Sequence, residues 1–222
     1  MRARAIRDDV QNALDFLQEA ELALYTNPVL LRPTHVSWHA LPSAGPLLGD
    51  YGFTTVGQYL TWVREGAYSA VLRDASLLQL SFDVDEDLVV GHRLAYVPCP
   101  VVVDETLLAE GEPVEEVVLL HLDDGNGEEL TLRSPVRFDY DQSAAHVDHP
   151  AAHFSINSPE CRVACVAPVH PYRFIDFVFR HFYPVFRGVH DRWFDSAGRR
   201  NLGGRVITEE DRSGVHLMWP IE

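Results

Sequence analysis

The sequence predicts an α+β fold: a strongly twisted antiparallel sheet of about seven strands with helices packed against it. Three observations carry that prediction. Short apolar runs separated by tight polar turns recur from Tyr68 to Val101, as an antiparallel meander requires. Apolar residues at helical spacing open the chain, and a second such stripe, rich in Phe, follows residue 170. Between them, Val136, Phe138 and Tyr140 alternate with Arg137, Asp139 and Asp141, the pattern of a strand with one apolar and one charged face.

In chain order, residues 5–24 carry Ile6, Val10, Ala13, Leu14, Leu17 and Leu24 at helical spacing, so an amphipathic helix is predicted over that span. Residues 28–54 are punctuated by Pro and Gly and hold one predicted strand, Val36–Leu41. His35 and His39 fall opposite Trp38 there, and an idle exposed pair is their plainest reading. Thr55 and Gln58 fit a capping box for a short helix, 55–65, that Gly66 ends. Tyr68–Arg73, Ser76–Val84 and Leu88–Val101 form the meander, with Leu78, Leu80 and Phe82 inward and Gln79 on the other face. His92 and Arg93 then place one potentially positive group on each face of the third strand.

Residues 104–129 hold ten acids and no arginine around a strand-like run, Glu116–Leu122, read as a solvated hairpin whose partner is Leu130–Asp141. Asp123-Asp124-Gly125-Asn126-Gly127 begins like a calcium loop, but Ser134 stands where the bidentate Glu belongs, so a turn is the better reading. Cys161–Ala167 is a further strand. Pro171–Tyr183 is the strongest helix, with Pro171 in its first turn and Phe174, Ile175, Val178, Phe179 and Phe182 forming a stripe suited to core packing. Beyond Pro184 the chain reads as an arginine-rich loop with a last strand at Val215–Trp219.

Composition sets the outer limits. The 222 residues are 46% hydrophobic, which excludes disorder and suits a single domain over 1–222: a core at 5–185 and an arginine-rich extension at 186–222. No run approaches the roughly 20 apolar residues of a membrane span, and no signal-peptide hydrophobic region opens the chain, so a cytoplasmic location without membrane contact is expected. Cys161 and Cys165, on one face of one strand, lie roughly 13 Å apart, too far for a disulfide or a shared ion, and are read as buried thiols. The net charge of −15 opposes non-specific adhesion to nucleic acid. Only residues 171–222, with 8 Arg against 7 acids, could present a basic surface.

The stretch 133–157 concentrates the groups able to move protons or hold anions: Arg133, Arg137, Asp139, Tyr140, Asp141, His146, Asp148, His149 and His153. Three readings fit it. In one, His149 and His153 act as acid and base on a phosphodiester while Arg137 and Arg93 hold the phosphate and Asp139 orients an imidazole, since imidazoles titrate near neutrality and arginine forks match phosphate oxygens. That reading needs no metal and no cofactor. In the second, His146, His149 and His153 bind a transition metal with Asp139 or Asp141, although His149-Pro150 and the lack of a helix weaken it. In the third, Arg137 pairs with an aspartate across neighbouring strands and His149-Pro150 fixes a turn. No nucleophile elbow, phosphate-binding Gly loop or dinucleotide fingerprint is present.

The motif series Tyr68…Asp74, His92-Arg93-Leu-Ala-Tyr96-Val-Pro-Cys-Pro100, Val136-Arg-Phe-Asp-Tyr-Asp141, His149-Pro-Ala-Ala-His153, Cys161-Arg162 and Pro171-Tyr-Arg-Phe-Ile-Asp-Phe…Arg180-His-Phe-Tyr183 resembles a bacterial family, the domain of unknown function 2290, over roughly residues 5–185. The chain departs from that pattern where Phe154-Ser155 replaces a second His and where His181 replaces Asn. The resemblance assigns no activity. A fainter similarity, to small toxins of toxin–antitoxin operons, implies an RNA-directed one. The function expected is an RNase-like or nuclease effector of a toxin–antitoxin or anti-phage system, acting on RNA or another nucleic acid. The alternative is a non-catalytic subunit that binds a protein partner or antitoxin.

Overall fold

The computed structural model describes residues 1–38, 55–123, 134–146, 148–158 and 160–221. The spine of its sheet is the meander. Strand β4 (Ala70–Leu72) turns at Asp74-Ala75 into β5 (Leu77–Asp85), and Glu86-Asp87 carry the chain into β6 (Leu88–Val97). Glu86 and Asp87 both have positive φ, and Asp85 pairs with Leu88, which makes this a two-residue hairpin loop whose twist suits the flanking strands.

From β6 the sheet continues antiparallel through β7 (Val136–Asp141), β8 (Ala152–Ile156) and β9 (Val163–Cys165), and ends on β10 (His216–Leu217), parallel to β9. On the other side, β1 (Ala23–Thr26) pairs with β4. The hairpin of β2 (Val29–Arg32) and β3 (His35–Trp38) joins the far end of β5 through β3. The described sheet thus has ten strands and is mostly antiparallel, where about seven were expected. The class is α+β.

Both faces of the meander are covered. Leu78, Leu80, Phe82, Leu94 and Tyr96 pack with α1 (Ala3–Glu19) and α5 (Pro171–Phe182) in the larger core. Leu77, Ala95 and Val97 pack with Tyr59 and Trp62 of α2 (Val56–Glu65) and with Val117 and Val118 of α4 (Val114–Asp123) in the second. The inward register of Leu78, Leu80 and Phe82 therefore holds. Gln79, on the opposite face, is buried as well, and its side-chain amide donates to the Ala67 carbonyl at 2.7 Å. Helix α2 begins and ends as its sequence predicts: the Thr55 hydroxyl accepts from the Gln58 N–H, and Gly66 closes it at φ +65°.

Several expected elements differ. The first helix stops at Glu19, because Glu21 enters the left-handed region and the chain leaves as the strand Ala23–Thr26. Residues 116–122 are helical, within α4: Val114, Val117, Val118 and Leu122 form a helical stripe toward the second core, and Glu115 and Glu116 sit favourably in the first turn. Its predicted hairpin with 130–141 is therefore absent, and β7 lies between β6 and β8 instead. Beyond Pro184 the chain is not loop-like. It forms α6 (Pro184–Val189), α7 (Asp191–Ala197) and α8 (Glu209–Ser213), with Pro184 starting a helix and Phe194 buried against Phe16 and Phe179. In α5, Phe174 and Phe179 are core residues, but Phe182 is 41% exposed. His39, Arg133 and the Gly125–Gly127 turn lie outside the described residues.

Candidate functional site

Strand register assembles the site. Arg93 of β6 stands opposite Asp139 of β7, which stands opposite His153 of β8, so three side chains from three strands form one row on one face. Arg137, two residues before Asp139, shares that face and stands opposite Ser155. The row is held by the Asp139 carboxylate. Its Oδ1 accepts from Arg93 Nε at 3.2 Å, and its Oδ2 accepts from Arg137 Nε and lies 3.4 Å from His153 Nε2. Burial alone would raise the Asp139 carboxyl, but the His153 hydrogen bond and the charges of Arg137 and Arg93 outweigh it and bring the pKa down to about 2.

The hairpin between β7 and β8 folds two more imidazoles over this row. Asp141 Oδ1 accepts from the Ser143 N–H at 2.8 Å, the Ser143 hydroxyl at 2.6 Å and the Ala144 N–H at 3.2 Å, which bends the chain out of β7. His146 and His149 exchange two backbone hydrogen bonds, 3.0 and 2.8 Å, that close the loop. Their rings lie 5.5 Å apart, and the His149 ring meets that of His153 edge-on at 4.8 Å. Burial lowers the His149 pKa, and the neighbouring His153, Arg162 and His146 lower it further, so neutral imidazole is favoured.

All five candidate residues, Arg93, Arg137, Asp139, His149 and His153, thus come together, but they are not equally accessible. The Arg137 side chain is 9% exposed and that of His153 3%, while Arg93 retains 32%. His153 Nδ1 donates to the Pro150 carbonyl at 3.0 Å, and its Nε2 faces Asp139, so both ring nitrogens are engaged within the protein. The outward-facing groups are Arg93, His149 and His146. Among the described residues, the buried Ser155 hydroxyl and His149 Nδ1 have no hydrogen-bond partner.

His92 is not a positive group on the core face. It is buried beside Phe82 and Tyr140, its Nε2 accepts from the Val169 N–H at 2.9 Å, and burial lowers its pKa to about 4. The three cysteines are free thiols; Cys99 and Cys165 are buried and Cys161 is partly exposed. Among the described residues, no three His, Cys, Asp or Glu side chains are grouped to hold a metal ion.

Two polar groupings escaped sequence reasoning. Next to the row, His35 bridges the Asp83 carboxylate at 3.1 Å and the Ser81 hydroxyl at 2.9 Å. Behind the sheet, the Tyr183 hydroxyl donates to both oxygens of Asp74, at 2.9 and 3.0 Å, and lies 3.0 Å from the Tyr96 hydroxyl. Asp74, Tyr96 and Tyr183 each stand in a motif quoted above, but nothing in their spacing joins them.

Fold and site define the class: an α+β protein whose mostly antiparallel sheet carries a row of paired charges and imidazoles on one face. The model of the family described as "Uncharacterized conserved protein (DUF2290)" matches residues 21–219, and the chain belongs to that family. The match takes in helices α6 to α8, past the end of the quoted motifs. No curated protein and no solved structure matches the chain. Among the described residues, no helix is long and apolar enough to cross a membrane.

Proposed function

We propose that the outward edge of this row cleaves a phosphodiester of RNA by acid–base chemistry without a metal ion. The observation that supports the reading is the alignment of Arg93, Asp139 and His153 across three strands, with His149 folded over it. Arg93, oriented by Asp139, receives the non-bridging phosphate oxygens. Neutral His149 accepts the proton of the ribose 2′-hydroxyl as its oxygen attacks phosphorus. The bond to the 5′-oxygen breaks, a 2′,3′-cyclic phosphate forms, and His146 returns a proton to the leaving oxygen. His153, Asp139 and Arg137 act one step back. Their mutual pairing fixes the Arg93 fork and the His149 ring. Such an effector would belong to a toxin–antitoxin or anti-phage system.

The test is cleavage of a labelled RNA by the purified chain in the presence of a chelator. His149→Ala and Arg93→Ala should each lose the activity while remaining folded by circular dichroism, and the double variant should lose little more, since groups acting as a unit fail together. Retained activity in His149→Ala would overturn the proposal. One observation favours the competing reading, a non-catalytic subunit that binds a protein: Val185 and Val189 of α6 are 77% and 72% exposed. That reading expects no RNA cleavage from the chain and loss of partner binding in Val185→Asp.

A further inference from the structure

A cavity of about 440 Å³ lies on the opposite face of the sheet from the charged row. In β6, Tyr96 points into it, whereas Arg93 and Ala95 point to the other face. Its walls come from the β4–β5 turn, the segment 101–105 and the α5–α6 junction. The volume is that of a small-molecule site.

Its chemistry is specific. Five aromatic rings border it: Tyr96, Phe179, Phe182, Tyr183 and Phe186. Two carboxylates, Asp74 and Glu105, face one guanidinium, Arg73, so the lining is net negative when His181 is neutral. The hydrogen bonds run one way. The Cys99 N–H donates to Ser76 Oγ at 3.2 Å, Ser76 lies 3.4 Å from Tyr96 Oη, Tyr96 lies 3.0 Å from Tyr183 Oη, and Tyr183 donates to Asp74. The chain of hydroxyl contacts thus ends on the Asp74 carboxylate as its acceptor. Burial, and next the Asp74 charge, push the Tyr183 phenol far above its ordinary pKa, so it stays a donor. The pocket already accommodates one organic cation: Arg73 Cζ sits 5.6 Å from the centroid of the Phe186 ring, with Nε 3.4 Å from Glu105. Phe182, whose exposure is anomalous for a core stripe, lies tilted against Tyr96 with ring centroids 4.6 Å apart and forms the outer wall.

We infer that this aromatic, carboxylate-lined cavity binds a small organic cation, an alkylammonium or guanidinium. The cation lies against the Phe182 and Phe186 ring faces and is balanced by Glu105 and Asp74. An anionic ligand would meet a lining in which carboxylates outnumber the Arg73 guanidinium, and an uncharged one would gain nothing from that excess. The inference is independent of RNA cleavage, which uses the other face.

Calorimetric titration of the full chain at physiological salt, with agmatine and spermidine as probes and adenosine monophosphate as the anionic control, tests it. One-to-one saturable binding of at least one amine is expected. Glu105→Gln and Phe182→Ala should each weaken it about three-fold or more, as for loss of a partly exposed cation–aromatic or ion-pair contact. Glu116→Gln, on the exposed acidic side of α4, should leave it unchanged. Circular dichroism confirms that each variant is folded. No saturable binding of either amine, binding of the nucleotide in their place, or affinity untouched by Glu105→Gln and Phe182→Ala would overturn the inference.

Discussion

Replacing Asp139 with Asn removes a negative charge that Arg93, Arg137 and His153 all face, while nearly preserving shape. Arg137, at 9% exposure, is left buried beside a neutral amide. Two routes give the size of the effect. The carboxyl pKa falls from 3.8 to about 2 on folding, which corresponds to about 2–3 kcal/mol of stability at pH 7. Removing one partner of a buried ion pair typically costs about 3–5 kcal/mol, because the remaining charge is uncompensated. The second figure is the better guide to the variant, since linkage measures only the protonation of Asp139 within an intact environment. For a chain of this length, about 3 kcal/mol lowers the melting temperature by roughly 6–12 °C. The pH dependence carries a distinct signature. A carboxyl with a depressed folded-state pKa contributes its full stability above its unfolded value, and loses it as pH falls toward the folded value. The wild-type advantage over Asp139→Asn should therefore be complete at pH 7, fall to roughly half of its linkage share at pH 3, and shrink further toward pH 2. Urea midpoints measured across that range decide it. A variant as stable as wild type at pH 7, or a gap that does not change down to pH 3, would refute the assignment of Asp139 as the charge holding the row together.

Within α5, Phe179→Ala should destabilise by about 3–5 kcal/mol and Phe182→Ala by roughly 1 kcal/mol or less, because only the first ring is enclosed; equal urea midpoints for the two would contradict this packing. In the pH profile of RNA cleavage, the acidic limb should fall below pH 6.5, since the lowered His149 pKa keeps the base unprotonated to lower pH; a limb above that value assigns the proton transfer elsewhere. Towards a thiol reagent under native conditions, Cys161 should react first, whereas Cys165, whose thiol is pushed up by burial, and Cys99 should wait for unfolding; simultaneous modification of all three would contradict the burial of Cys99 and Cys165.

Local pattern was enough wherever neighbours in sequence are also neighbours in space. Helix α2 announces its own ends through Thr55 and Gly66, and the meander declares its register through Leu78, Leu80 and Phe82, because a one-residue slip would turn them away from the larger core. The run 116–122 shows the limit. Its apolar residues fit a two-residue or a helical repeat about equally, and only packing against α2 selects the helix. The segment after Pro184 is similar: arginine content suggested a loop, but Phe194 and Trp193 find partners in Phe16 of the first helix, far away along the chain.

The candidate row divides along the same line. Alternation in Val136–Asp141 placed Arg137 and Asp139 on one charged face, and the density of histidines that follows made the region a candidate site. Which histidine remains available was not a property of that stretch. It depends on register with β8 and on the Pro150 carbonyl, which together occupy both nitrogens of His153 and leave His149 and Arg93 at the surface. The Asp74–Tyr183–Tyr96 relay joins residues as much as 109 positions apart, so no periodicity can report it. Alternation and capping are encoded within a few residues and survive without a partner. Protonation, access and pairing arise only when distant segments exclude water from one another, and the folded sheet alone brings those segments together.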